Sequence, residues 1–384
     1  MADEPEYDME FHRWGPNAME MPPSPPATPP PEDEAIDFER EPSPFSEATS
    51  MTSVDSTDSV GYYREEAGRM FAALPDVPVV MPVDHAEIRR VSGQYELIKL
   101  VTGNNYFHEV DDLLRSPGGD TKRVLDIVSN SPWIDEMALE YPHVKFTGAN
   151  FVPTRHPYRE NVQFEVYNLV EGLHGKNGTY DIIHADATFK MTRDFKFWLK
   201  EMRRLLKPGG MLLLCDMEMA AWMADGSDPV LHIPTICKYT DCVDSQLRAQ
   251  GIDLVSMPCV GGWLRELGGF DVVEDTVTSV PVGPWDTDEL QQEIGAMARD
   301  NIMGALYSCH PLMARLGRSQ AEIDELITEA RRELYEKNLQ LFERVFYVYA
   351  RKSFIVVDEE EQEQASTTPP APSISLPAPP SNNG

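Results

Sequence analysis

Long apolar runs are missing from these 384 residues. No stretch of about 18 apolar residues occurs and the acidic N-terminus carries no apolar segment, so neither a membrane span nor a secretory signal is expected. Cysteine is scarce as well. The five present, Cys215, Cys237, Cys242, Cys259 and Cys309, have neither CxxC spacing nor disulfide density, which argues against a disulfide scaffold and for reduced thiols in a cytosolic or nuclear protein. Basic charge falls far short of acidic charge, giving a formal net charge of −31. Such a chain repels a phosphate backbone, and direct nucleic-acid binding is not expected. Paired carboxylates, a metal-ligand cluster, a P-loop and a nucleophile elbow are also missing.

The ends lack apolar periodicity. Residues 1–60 hold fifteen Asp or Glu against Arg13 and Arg40, with proline runs and a Ser/Thr tract at Ser50 to Ser59, and 358–384 repeat that character. Segments of this kind bury too little apolar surface to offset chain entropy and are read as disordered tails. One globular unit is left, from about Gly61 to Val357.

Within it, short apolar runs alternate with helical patterns, the mark of an α/β fold with a parallel sheet and crossover helices. Strands are predicted at Arg123 to Val128, Val144 to Phe151, Val162 to Leu169, Tyr180 to Ala185 and Met211 to Met217. The helix before the last of these puts Phe195, Trp198, Leu199, Met202, Leu205 and Leu206 on one face, and Lys207-Pro208-Gly209-Gly210 stops it. Two distant β-rich runs, Asp271 to Val282 and Glu343 to Phe354, are expected to add a terminal antiparallel pair. Between them, 286–341 read as a helical insertion whose second helix opens with a capping box, Ser319 and Glu322. Upstream, Asp84 to Val101 is an amphipathic helix placed to cover the top of the sheet.

Glycine is missing where such a fold most often uses it. Arg123 to Met137, RVLDIVSNSPWIDEM, has the frame of a nucleotide-binding strand, loop and helix, but its loop carries Val128, Ser129, Asn130, Ser131 and Pro132. Glycines there let the backbone turn tightly and bring its N–H groups to a ligand. A β-branched residue at positive φ is a steric outlier, so with Val128 either the backbone differs or the pocket is smaller. Ser131 and Pro132 read as an N-cap and first helical residue, and Asp135 and Glu136 add negative charge to the helix's positive end. All of these favour the empty helix over a bound anion.

The motifs PVDHAEIRR and QYELIKL before the sheet, VLD at the first strand, MALEYPHVKFTGANFVP at the second, NVQFEVYNL at the third, YDIIHA at the fourth, and LLKPGGMLLL together resemble the class I S-adenosylmethionine-dependent methyltransferases. They resemble specifically the fungal branch that includes the LaeA-like regulators of secondary metabolism. The likeness covers nearly all of residues 82–217 and extends to the final YVYARKS strand. It implies a Rossmann-like, seven-stranded methyltransferase sheet that binds S-adenosyl-L-methionine at the carboxyl ends of its first strands. The family's loop runs roughly LDxGxGxGxW, whereas LDIVSNSPW is one residue shorter and has no glycine.

On that resemblance, Asp126 and the loop residues Ser129, Asn130 and Ser131 border the cofactor. Asn150 stands where an acidic residue holds the ribose hydroxyls, and Asn168 where an aspartate accepts from the adenine amino group. An amide can accept and donate at both places. Phe151 and Leu169 flank them, and His184 follows the fourth strand as a cofactor contact or base. Each has a plainer reading: a capped structural helix, a turn asparagine, a packed histidine. Asp186 replaces an arginine of HAR-type relatives, while Trp222, Trp263, Tyr307 and the run DMEMAAWM either line a substrate cavity or belong to the core. Two functions follow. One is a methyltransferase with a small-molecule or protein acceptor, and the other is a non-catalytic relative that meets protein partners through its insertion and tails.

Overall fold

The computed structural model describes residues 61–354 except 75–76, 79–80, 107–108, 117–118, 129, 253–257 and 338; the expected tails and Ser129 lie outside the described residues. A hairpin comes first, β1 (Tyr63–Glu66) paired antiparallel with β2 (Arg69–Ala72). Its turn residues Ala67 and Gly68 lie at φ 49° and 73°, the left-handed geometry that suits the twist of paired strands. Helix α1 (His85–Thr102) is capped by the Asp84 carboxylate, which accepts from the N–H groups of Ala86 and Glu87. A short α2 (Val110–Arg115) follows.

The α/β half comprises β3 (Arg123–Ile127), α3 (Trp133–Glu140), β4 (Lys145–Asn150), β5 (Val162–Val166), β6 (Tyr180–Asp186), α4 (Phe195–Leu205) and β7 (Leu206–Met217). Next come β8 (Trp222–Met223), α5 (Pro234–Ala249), α6 (Val260–Leu267) and β9 (Phe270–Val282). The insertion is α7 (Glu289–Ser308), α8 (His310–Arg315) and α9 (Gln320–Tyr335), and β10 (Leu341–Lys352) closes the sheet. The capping box of Ser319 and Glu322 is present but opens α9, the third helix of the insertion, because the short α8 precedes it.

Strands β5, β4, β3, β6 and β7 run parallel in that order, and β10 lies antiparallel between β7 and β9. One edge of β10 pairs with β9 along its whole length, so β7 and the two-residue β8 share the other edge. Among the described residues, eight strand segments therefore fill the seven lanes of the expected Rossmann-like sheet. On one face α3 packs Ile134, Met137 and Ala138 over Val124, Phe146 and Ile182. On the other, α4 packs Trp198, Leu199 and Met202 over Leu125, Ile183 and Leu212. The insertion helices cover Met217, Val282 and Val345 at the far end.

Several strand ends differ from the sequence reading, most by one or two residues, and three of them have clear local causes. β3 stops at Ile127 because Val128 turns to φ 56°, and β5 stops at Val166 because Asn168 caps a 3-10 turn at Leu169–Glu171. β7 starts at Leu206, which pairs with Tyr180, and the register then shifts before Met211 meets Ile182. Gly209, at φ 76°, lets the Lys-Pro-Gly-Gly segment form this irregularity inside the strand.

Candidate functional site

The strand order reverses between β3 and β6, and in open α/β sheets the crevice outside the carboxyl ends at such a switch point is where ligands bind. The register there sets Asp126 of β3 directly beside His184 of β6. Both are buried, and His184 Nδ1 lies 2.7 Å from Asp126 Oδ1. That contact puts a proton on Nδ1, so the neutral ring keeps its lone pair on Nε2. The imidazole stacks on the Trp133 indole at 3.8 Å between centroids and 8° between planes. Trp133 is buried and held by its Nε1–H, which donates to Asn105 O at 2.7 Å. The start of α3 thereby closes over the end of β6.

Val128 adopts the left-handed turn that glycine would give, at φ 56°, with its N–H donating to Ala149 O at 2.8 Å. Its side chain is buried among Leu125, Ile127, Ala149 and Phe151, and that packing offsets a conformation costing on the order of 1–3 kcal/mol. A comparison exposes the strain. Val128→Gly should destabilise less than Val124→Gly, a buried valine in a regular strand, by about 1 kcal/mol or more in urea unfolding. Equal losses would mean that the turn carries no strain.

The remaining predicted residues gather on the same edge, each with a local partner. Asn150, at the end of β4, donates from Nδ2 to Asn130 Oδ1 at 2.7 Å and accepts from the Phe151 N–H at 2.9 Å. Asn168 accepts from the Val170 N–H and donates to Glu171, with Leu169 fully buried behind it. Ser131 Oγ accepts from the Trp133 N–H at 3.4 Å, the expected capping contact at its long limit, while Pro132 already has helical dihedrals. Asp135 and Glu136, expected to repel an anion, are engaged by His156 and by Lys99.

A small cavity of about 30 Å³ lies at this edge, roofed by Tyr95, Ile98 and Lys99 of α1 and floored by His184, Asp186 and Tyr347. α1 thus contributes one wall of this cavity. Asp186 is a residue whose strength as a signal the sequence underrates: its Oδ1 is buried without a hydrogen-bond partner among the described residues. Burial pushes its carboxyl up to about 7, Asp216 and Asp126 push the same way, and His184 and Lys190 oppose them. An acid raised above its unfolded value contributes stability below that value and loses it as pH rises through the folded value. Asp186→Asn should therefore raise the melting temperature relative to the native protein more at about pH 8 than at about pH 5. An equal gain at both would show that Asp186 stays ionised throughout.

The aromatic candidates separate from the methionines. Trp222 donates to Glu218, Trp263 packs beneath Lys196 and Tyr307 is exposed, and none lines this cavity or the second one, of about 60 Å³. Met217 and Met219 of the DMEMAAWM run do line the second. Among the described residues no helix is long and apolar enough to cross a membrane, and no group of three His, Cys, Asp or Glu is placed to hold a metal ion.

No protein-family model matches the chain. It is similar to the secondary metabolism regulator laeA of Coprinopsis cinerea, at 26% identity over 77% of this chain and 75% of that protein. It is also similar to the N-methyltransferase sirN of Leptosphaeria maculans, at 26% over 60% of this chain and 78% of that one. The methyltransferase str2 of Strobilurus tenacellus is 24% identical over 67% of this chain and 90% of its own length. Among solved structures, a phosphoethanolamine N-methyltransferase from Haemonchus contortus in complex with S-adenosyl-L-methionine aligns at a TM-score of 0.37 and 15% identity, covering 67% of this chain and 56% of that one. The [4+2]-cyclase SpnF aligns at 0.34 and 15%, covering 69% and 97%.

Proposed function

We infer, for a chain homologous to the LaeA-like fungal methyltransferases and built on a Rossmann-like sheet, that it binds S-adenosyl-L-methionine at the carboxyl ends of β3 to β6 and acts in the regulation or chemistry of secondary metabolism. The observation that carries this reading is that Asp126, Asn150, Asn168 and His184 all lie at or near the carboxyl ends of β3, β4, β5 and β6. The adenosine end fits. Asn150 and Asn168 each offer a donor and an acceptor to a ribose and an adenine, at the expense of contacts with Asn130 and Glu171 that are themselves side chain to side chain. At the start of α3 the stacked pair of Trp133 and His184 narrows the space beside β3 and β6, and a cofactor's methionine part would need it to move.

When bound, the cofactor supplies an electrophilic methyl group to a nucleophile held in line with it, a reaction that proximity and orientation largely provide. α1 residues line the cavity at this edge, and in this reading His184, held by Asp126, takes a proton from an acceptor through Nε2.

A second reading is favoured by one observation, the internal satisfaction of the edge. Trp133 on His184, Asn130 on Asn150 and a valine in the glycine turn suit a non-catalytic relative that meets partners through other surfaces. Calorimetric titration with S-adenosylhomocysteine and S-adenosyl-L-methionine separates the two. Micromolar binding, about 8 kcal/mol, supports a working site. No heat and no thermal shift at millimolar ligand would sink it in favour of the non-catalytic protein.

A further inference from the structure

Alternate residues of β10, Leu341, Glu343, Val345 and Tyr347, are buried, and Leu341, Val345 and Tyr347 belong to the apolar core under the insertion helices. Glu343 is the break in this stripe. It is 2% exposed, registers against the buried Val280 of β9, and its Oε1 has no hydrogen-bond partner among the described residues. A sheet position of this kind is normally apolar, because burying a carboxyl without a partner is strongly unfavourable.

The carboxyl lines the larger cavity, about 60 Å³, enclosed by α1, α5, α7 and the segment after β7. Met81, Met217, Tyr239 and Leu306 give it apolar walls. Its other charges are matched within the protein. Arg90 donates to Glu87, Gln94 and Asn301; Lys190 pairs with Asp216 at 3.3 Å; Glu218 holds Arg344 through both oxygens. One acid is therefore left uncompensated against an apolar surface. Burial, with Glu218 nearby, drives its pKa well above the usual carboxylate range, and Arg90 only partly opposes this. A cation beside the carboxyl would lower that pKa and offset the cost of burying the charged form.

We propose that this cavity is a binding site for a small apolar amine, whose ammonium group pairs with Glu343 while its hydrocarbon part lies against Met81, Met217, Tyr239 and Leu306. An amine fits better than an acid because the unmatched group is itself acidic. It fits better than an alcohol because a charge-assisted bond in a desolvated site is about twice as strong as a neutral one. Apolar walls lined by methionine adapt to a range of ring shapes. The site goes beyond the cofactor reading, and it stands or falls without cofactor present.

The test titrates the full chain with 2-phenylethylamine, 2-phenylethanol and 3-phenylpropanoate, following heat and melting temperature with no cofactor added. The amine should bind at least about tenfold more tightly than the alcohol, and the acid should produce no shift. Glu343→Gln should lose the preference for the amine yet melt higher than the native protein, because the unpaired acid is gone. Met217→Trp, which fills the cavity and leaves Glu343 in place, should lose binding of the amine as well. No shift with 2-phenylethylamine, or equal binding to native and Glu343→Gln protein, overturns the site. Because S-adenosylhomocysteine is titrated separately, failure of either ligand identifies which reading has failed.

Discussion

Trp198→Ala is expected to cost about 3 to 5 kcal/mol, a large share of the 5 to 15 kcal/mol that holds a typical domain together. Trp198 is the largest fully buried side chain among the described residues, at 0% exposure, on the face of α4 that meets the sheet. Its removal leaves a void lined by Phe151 and Phe195, whose rings lie 6.4 Å and 6.3 Å away. The loss has a polar part too, because the indole Nε1–H donates to Leu169 O at 3.1 Å inside the core and alanine leaves that carbonyl with the Gly172 N–H alone, at 3.2 Å. Phe151 and Leu169 follow Asn150 and Asn168 directly in sequence. The same substitution should therefore loosen the two strand ends on which an adenosine would rest, and weaken S-adenosylhomocysteine binding in whatever fraction stays folded. Lys200, two residues on and about 200° round the helix, lies off this face. Lys200→Ala should lower stability by about 1 kcal/mol or less in the same urea unfolding experiment. Equal losses at the two positions would mean that the buried face of α4 is misassigned.

The face of α4 is legible in its sequence because the apolar positions recur at three and four residues over three turns, and Lys-Pro-Gly-Gly marks where they stop. The five parallel strands are legible for a similar reason, since a strand buried on both faces reads as a continuous apolar run. The hairpin of Tyr63–Glu66 and Arg69–Ala72 is not. Its strands are four residues each and its only strong local signal is Gly68, too little for a periodicity of two to mark the pair at the start of the globular unit.

The candidate edge was legible as a list of positions and illegible as a set of contacts. Asn130 and Asn150 are 20 residues apart, and Asp126 and His184 are 58 apart, so periodicity within either segment carries no trace of their pairing. The turn at Val128 is more instructive. Local sterics argue against positive φ for a β-branched residue, but the Ala149 carbonyl and the surrounding apolar side chains hold it there. Tertiary packing overrides the local preference and preserves the backbone path of a glycine turn without glycine. Glu343 shows the reverse case. Its alternation with apolar residues marks it as inward-facing, while its lack of a partner depends on three helices from elsewhere in the chain.

Because the backbone at Val128 already follows that path, replacing residues 128–132 with a glycine-rich loop one residue longer should fold without rearranging β3. It is expected to tighten S-adenosylhomocysteine binding by at least about tenfold. Charge-assisted bonds from freed backbone N–H groups to a ligand carboxylate contribute roughly 1.5 to 3 kcal/mol each, and one such bond suffices for that factor. The longer loop also removes Ser131 from the Trp133 N–H and gives the start of α3 slack to draw the indole off His184. Restoring the family's acid by Asn150→Asp alone should achieve much less. Asn150 Nδ2 now donates to Asn130 Oδ1 at 2.7 Å, and aspartate would turn the Asn130 amide over to donate back, which holds the new carboxylate against the loop while the loop itself is unchanged. Titration of the three proteins side by side decides the matter. If the native chain binds tightly and the glycine loop weakens it, then Val128, Asn130 and Ser131 form a cradle of their own, and the closed edge is a resting state that the ligand itself opens.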